Sequence, residues 1–276
     1  MVKLLPKLTK ALRLVPLSLA RTLALAGGFF AYAFDRRRRA AVLKNLRMLF
    51  PEWGVIKRHW TALKTFLHLY ANIVDLANSP NLTDEKLLRL IRREGSRDFE
   101  RFRDEGKGFV LLSAHLGAWD LGVRCLGAAG FQGIVLAEPI AENAHYEILQ
   151  RYRARGKIEV LPANIHPIRL ARALKKGGIV LLLGDRDVLG TGVEAKFGEG
   201  RRRFPKGPAE LSKRLGVPVI PGFALRRTLN PFTKTPFVGL TYPAFYPEGV
   251  EDVVSILEQA VKSYPEQWMV FQNEWV

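Results

Sequence analysis

The sequence predicts an α/β protein with a mostly parallel central sheet flanked by helices, preceded by a helical N-terminal region. Three observations carry this reading. From residue 108 onward, short runs rich in Val, Ile and Leu recur: "FVLLSA", "GIVLAE", "IEVLP", "GIVLLLG" and "VPVIPGFAL". Helical stretches such as "NAHYEILQRYRARG" and "HPIRLARALKKG" separate them. Strands that alternate with helices form a largely parallel sheet covered by those helices. Before residue 80, by contrast, the apolar spacing is helical throughout.

The elements follow in order. "LRLVPLSLARTLALAGGFFAYAF", residues 12–34, is mostly apolar but holds Arg13, Pro16 and Arg21. A membrane-spanning helix needs about 20 predominantly apolar residues, and an arginine near its middle is costly in the bilayer core. Asp35, Arg36 to Arg39 and the amphipathic "AAVLKNLRMLFPEW" come next. An apolar face with flanking basic residues suits a helix lying in the headgroup zone; the alternative is a pair of helices packed on the main domain. No small-residue cleavage site clearly ends the apolar run, which argues against a cleaved signal peptide. In "VIKRHWTALKTFLHLYANIVDLAN", Trp60, Leu63, Phe66, Leu67, Tyr70, Ile73 and Val74 keep helical spacing. Ser79-Pro80 breaks that pattern, and Thr83 or Asp84 caps the next helix. Late in the chain "PFVGLTYPAFYP" reads as a further strand and "VEDVVSILEQAVKSYPEQW" as a final helix and tail. The expected division is a helical membrane-associating region over 1–80 and an α/β domain over 81–276.

Composition narrows the function classes. A chain of 276 residues, 48% hydrophobic and 25% charged, is a folded globular protein. Its one cysteine, Cys125, excludes a disulfide framework and a multi-cysteine zinc site; no metal is expected. The net charge of +17 calls for an extended anionic partner, either nucleic acid or an acidic membrane surface. The arginines scatter over helices and no recognised nucleic-acid-binding signature is present, so no nucleic acid is expected.

Candidate chemistry begins with "LLSAHLGAWDLG", which puts His115 and Asp120 five residues apart, just after a buried-type strand and at a helix start. Sheet proteins place ligands at such strand ends. Five residues turn about 140° on a regular helix, so the pair can meet only if His115 lies in the strand-helix turn and Asp120 reaches back. A carboxylate partner selects the His tautomer and leaves the other ring nitrogen free as a general base. Backbone N–H groups near Gly117 would then stabilise an oxyanion. No Gly-x-Ser-x-Gly elbow is present, which makes a substrate hydroxyl the expected nucleophile. A second polar cluster, Asp185, Arg186 and Asp187, directly follows the strand "GIVLLLG" and is expected on the same sheet rim. The nearby Gly190-x-Gly192-x-x-Ala195 is discounted as a dinucleotide fingerprint, because its first glycine lies six residues past the strand. Arg201 to Arg203 are either an anion site or a solvated run.

"AHLGAWD", "LAEP", "LLLGDRDVLGTGVEAKFGE", "FPKGPAEL", "GVPVIPGF" and "YPEQWMVFQ", in this order, resemble the lipid A biosynthesis acyltransferases, and more closely the phosphatidylinositol mannoside acyltransferases. The likeness covers nearly the whole chain. It implies a membrane-associated α/β acyltransferase of the His-x4-Asp type, moving an acyl group from a thioester donor (acyl-CoA or acyl carrier protein) to a glycolipid hydroxyl, with no further cofactor. It implies His115 as base, Asp120 as its partner, and Glu138, Arg153 and Glu194 as substrate-binding residues; Asp185, Arg186 and Asp187 are read as substrate-binding from their place on the sheet rim, with a local salt-bridge turn as the alternative. The implied location is the cytoplasmic face of a bacterial inner membrane, on an anionic surface. A lipid A precursor is the alternative acceptor. A thioesterase-like hydrolase using the same His and Asp, and a basic nucleic-acid-binding protein, are the readings of other classes.

Overall fold

The computed structural model describes residues 4–138, 147 and 150–276. Four helices come first: α1 (Leu5–Ala11), α2 (Leu17–Phe34), α3 (Arg36–Leu49) and α4 (Val55–Asn78). Helix α2 lies along α4 through its small residues Ala20, Ala24 and Gly28; a Cβ on Gly28 would stand 3.0 Å from the Leu67 backbone, so a larger residue there would push the helices apart by a few tenths of an ångström. The other face of α2 leaves Leu19, Leu23, Phe30 and Phe34 exposed, and Ile56 and Trp60 at the start of α4 are exposed too. Among the described residues α2 is the one helix long and apolar enough to cross a membrane by length and composition. Asp35 caps α3 by accepting from the Arg38 N–H at 3.0 Å, and Arg39 donates to the last carbonyls of α2, those of Tyr32 and Ala33. The two helices thus share one corner.

Arg21, the misfit in the apolar run, points into the protein. Its Nε and Nη2 donate to Asp75 Oδ1 of α4 at 2.9 and 2.6 Å, and its Nη1 donates to the Thr233 carbonyl at 3.0 Å. Asp75 also accepts from Arg226 through Oδ2. All three side chains are buried. The cost of an arginine in an apolar segment is therefore met by a carboxylate rather than by lipid headgroups.

Helix α4 also buries His68, whose Nδ1 has no hydrogen-bond partner. Burial, then the charges of Arg226 and Lys64, push its pKa down to about 3. The unfolded chain binds a proton at His68 below its ordinary value of 6.5, and the folded chain does not until about 3. Stability contributed by the neutral ring therefore falls as the pH drops through this window. Acidification from pH 7 to 5 is expected to cost about 2 kcal/mol, read from urea midpoints at the two pH values. His68→Leu should lack that slope, and an unchanged slope would mean other groups set it.

The chain next forms α5 (Asp84–Leu88), β1 (Ile91–Gly95), α6 (Asp98–Asp104), β2 (Phe109–Ser113), α7 (Trp119–Ala128) and β3 (Gln132–Ala137). Thr83 caps α5, as its sequence position suggests, by accepting from the Lys86 N–H. The helix read from "NAHYEILQRYRARG" falls partly outside the described residues; 147 and 150–153 are helical. Beyond it come β4 (Lys157–Pro162), α8 (Pro167–Lys175), β5 (Ile179–Leu183), β6 (Val193–Phe197), β7 (Gly200–Phe204), α9 (Gly207–Leu215), β8 (Val219–Arg226), β9 (Phe237–Thr241) and α10 (Val250–Ser263).

Seven strands form one sheet in the order β1-β9-β8-β2-β5-β3-β4. Every neighbouring pair is parallel except β8–β9, which is antiparallel. The link between those two is too short for the crossover that parallel pairing needs. Strands β6 and β7 make a separate antiparallel hairpin, so the Gly190–Ala195 stretch leads into a strand rather than a helix, consistent with its rejection as a nucleotide fingerprint. One sheet face packs on α10 through Val253, Leu257 and Val261, and on the hairpin through Phe197 and Phe204. The other packs Leu111, Leu181 and Ile220 beneath α6 and α7.

Candidate active site

Register builds the site. Strands β2 and β5 are parallel neighbours, with Ser113 opposite Leu183, and the Gly184 N–H donates to the Ser113 carbonyl at 2.8 Å. Two residues beyond each strand end stand His115 and Asp185, side by side on the rim. His115 Nδ1 and Asp185 Oδ1 are 2.9 Å apart, and the His115 backbone N–H lies 3.1 Å from both carboxylate oxygens. Trp268 Nε1 donates to Oδ2 at 2.9 Å. Asp185 is fully buried. Burial alone would raise its pKa, but the His115 charge and the hydrogen bonds from His115 and Trp268 outweigh it and bring the carboxyl down to about 2. An ionised Asp185 accepts a hydrogen bond from the Nδ1–H, which holds the proton on that nitrogen and leaves Nε2 as a bare lone pair.

This corrects the pairing read from spacing. Asp120, in the first turn of α7, binds Arg153 Nε at 2.6 Å instead. His115 does lie in the strand-helix turn, but Asp120 turns to Arg153 and does not reach back, whereas the parallel register brings Asp185, 70 residues away, to the imidazole. Two of the backbone N–H groups expected as oxyanion donors have other acceptors. The Gly117 N–H donates to the Gln267 carbonyl at 2.9 Å and the Ala118 N–H to the Ala224 carbonyl at 2.6 Å, so both are already engaged. Gly117 has φ +71°, and a Cβ there would stand 2.3 Å from the Ala224 carbonyl oxygen. The turn thus closes tightly on β8.

His115 lines a cavity of about 540 Å³ together with Trp119, Asp120, Glu138, Arg153, Arg186 and Asp187. Arg186 spans two acids, donating from Nη1 to Glu138 at 3.1 Å and from Nε to Glu274 at 2.6 Å. Asp187 accepts from the Gly192 N–H at 2.8 Å and shapes the loop after β5. Seven of the eight sequence candidates therefore line this cavity or hold its imidazole. Glu194 does not: it lies on β6, cross-strand from Arg203, with Arg203 Nη2 donating to it at 3.3 Å. A second cavity of about 1040 Å³ adjoins the first, with Trp119, Val123 and Leu181 in both walls. Its floor on the sheet is paved by the small residues Gly222, Ala224 and Gly239.

Residues 4–276 match the bacterial lipid A biosynthesis acyltransferase family. The chain belongs to this family. It is 27% identical over 210 residues to a phosphatidylinositol mannoside acyltransferase of Mycobacterium tuberculosis, covering 71% of this chain and 64% of that protein. It is 26% identical over 195 residues to a protein of the same name from Mycolicibacterium smegmatis, covering 63% and 58%. The matched stretch thus spans less than two thirds of the length of these relatives.

In this lipid A acyltransferase family chain, three site residues escape a reading of local pattern. Trp268 reaches Asp185 from the segment after α10. Buried Arg202 lies against the rings of Trp268 and Trp275, and its Nη2 donates to the Asp185 carbonyl at 3.3 Å and to Glu274 at 2.7 Å. Glu274 joins Arg186 to Arg202. One of the three arginines read as an anion site or a solvated run is therefore interior. The alternation of β7 carries the signal: Arg202 shares the inward face with Phe204, and its neighbours Arg201 and Arg203 face out. The Cys125 thiol is buried in α7 with its pKa pushed up to about 12, the state of an inert packed cysteine.

Proposed function

We propose that this chain transfers a fatty acyl group from a thioester donor, acyl-CoA or acyl carrier protein, to a hydroxyl of a glycolipid at an anionic membrane surface. The observation that carries the proposal is the His115–Asp185 pair on the rim of one cavity that opens beside a second, larger one. His115 Nε2 removes the proton from the acceptor hydroxyl as its oxygen attacks the thioester carbonyl carbon. The tetrahedral intermediate collapses, the C–S bond breaks, and the leaving thiolate takes the proton back from the imidazolium. General-base assistance of this kind supplies about 10²–10⁴ in rate. The larger cavity suits the acyl chain, at about 0.8 kcal/mol per buried methylene. In the smaller cavity Arg153 and Arg186 suit an anionic or sugar-bearing headgroup.

The names of the mycobacterial relatives support a phosphatidylinositol mannoside as acceptor, with a lipid A precursor as the alternative. The exposed apolar face of α2 and the net charge of +17 support docking on the cytoplasmic face of a bacterial inner membrane. The test is to incubate the protein with radiolabelled palmitoyl-CoA and vesicles, with and without the mannoside. His115→Ala should abolish labelled product while leaving sedimentation with vesicles intact. Transfer near the wild-type rate in that variant would remove His115 as base. Release of free palmitate by the wild-type protein without acceptor would instead favour the hydrolase.

A further inference from the structure

We propose that Ser113 is a further catalytic residue, whose hydroxyl donates a hydrogen bond to the thioester carbonyl oxygen as it gains negative charge; this rests on the acyl-transfer reading above. An oxyanion needs donors, and three of the backbone N–H groups in the turn around His115 are engaged elsewhere. The backbone N–H groups of His115, Gly117 and Ala118 go to Asp185, Gln267 and Ala224.

Ser113 remains. It is the last residue of β2, two positions before the imidazole, and shares the sheet face of Leu111. Both line the larger cavity. The serine as a whole is buried, at 5% exposure. Its hydroxyl makes no hydrogen bond among the described residues, yet its oxygen is not among the sealed, partnerless atoms. It is thus open to the cavity. The other polar side chains there are mostly committed: Arg93 to Glu100, Thr241 to the Glu94 and Ser96 carbonyls, Ser96 to the Asp98 N–H.

The start of the next helix adds to this. Helix α7 begins at Trp119 with no side-chain cap, so the N–H groups of its first turn add positive potential. Trp119 itself forms part of the wall between the cavities, its ring 5.3 Å from that of His115, and its indole N–H is buried without an acceptor. A chain lying in the larger cavity, with its carbonyl beside Nε2 in the smaller one, brings the carbonyl oxygen to this end of β2. Ser113 keeps its proton throughout; the bond made and the bond broken are those of acyl transfer.

The experiment is steady-state kinetics of Ser113→Ala and Ser113→Thr with palmitoyl-CoA and the mannoside acceptor. Ser113→Ala is expected to lower kcat by about 10²-fold, with KM for palmitoyl-CoA within about twofold. The pH profile of kcat/KM should stay in place, since a serine does not titrate there and the imidazole keeps Asp185. Ser113→Thr, which restores the hydroxyl, should recover most of the rate. Wild-type kcat in Ser113→Ala overturns the proposal and leaves His115 as base untouched. A hydroxylamine-labile acyl group found on Ser113 by mass spectrometry also overturns it, because the residue would then be a nucleophile. A wild-type protein that transfers nothing fails the acyl-transfer reading itself.

Discussion

Asp185→Asn is expected to lower kcat for acyl transfer by about 10³–10⁴-fold, whereas Asp120→Asn should act mainly on acceptor binding. The carboxylate accepts from Nδ1 and the backbone N–H of His115 and from Trp268 Nε1. An amide in the same place presents its own N–H to one of these donors, and relief comes from flipping the imidazole to the tautomer with Nε2 protonated. That tautomer cannot take a proton from the acceptor. In a serine protease triad the same exchange costs about 10⁴ in kcat. Asp120→Asn leaves the His115–Asp185 contact in place and weakens the hold on Arg153, so KM for the glycolipid should rise more than kcat falls. The reverse ranking of the two variants would restore the pairing inferred from the five-residue spacing. Stability carries a second signature. The Asp185 carboxyl is depressed from 3.8 to about 2, so its contribution is complete above about pH 4 and is lost as the pH falls through 2. Asp185→Asn should flatten that part of the acid-unfolding curve.

Asp75→Asn is expected to destabilise the protein by about 3–5 kcal/mol, enough to abolish folding of a marginal domain. The carboxylate is 2% exposed and stands between the guanidinium groups of Arg21 and Arg226. Removing its charge leaves two buried cations facing each other. Arg226 Nε also donates to Asn72 Oδ1 at 2.9 Å, and Asn72 Nδ2 donates to the Gly117 carbonyl at 3.0 Å, so the loss would reach the His115 turn. Urea titration gives the stability change. The triple replacement Arg21→Met, Asp75→Leu, Arg226→Met should recover much of it, because an apolar set of similar volume removes the desolvation cost along with the pairing. A small effect of Asp75→Asn alone would mean that water reaches the cluster.

The fold was legible because its signals are local and repeated. "FVLLS" and "IVLLL" are short, glycine-flanked apolar runs that suit strands buried on both faces, and the helices between them favour parallel pairing. Sheet order was not legible, since it depends on which crossover lands beside which strand, and that alone brings β2 next to β5. The site divides the same way. His115 announced itself at a strand end, and Asp185 was seen on the rim. Their contact was missed because a five-residue neighbour is visible in a sequence and a register partner is not. Glu194 shows the opposite error: a motif position near Asp185 in the chain is carried off by the β6–β7 hairpin to a solvated face. Arg21 is visibly out of place in an apolar run, but its carboxylate lies 54 positions downstream on another helix.

The segment after α10 has a consequence for biosynthesis. Gln267 fastens the turn beside the imidazole, Trp268 steadies the acid, and Met269 donates its N–H to the His115 carbonyl at 2.7 Å. A nascent chain still lacking these residues already carries every strand of the sheet, along with both members of the dyad, but not the clasp that aligns them. A chain truncated before Gln267 would therefore lose the contacts that hold the His115 turn and the Asp185 carboxylate, while keeping the sheet that carries them.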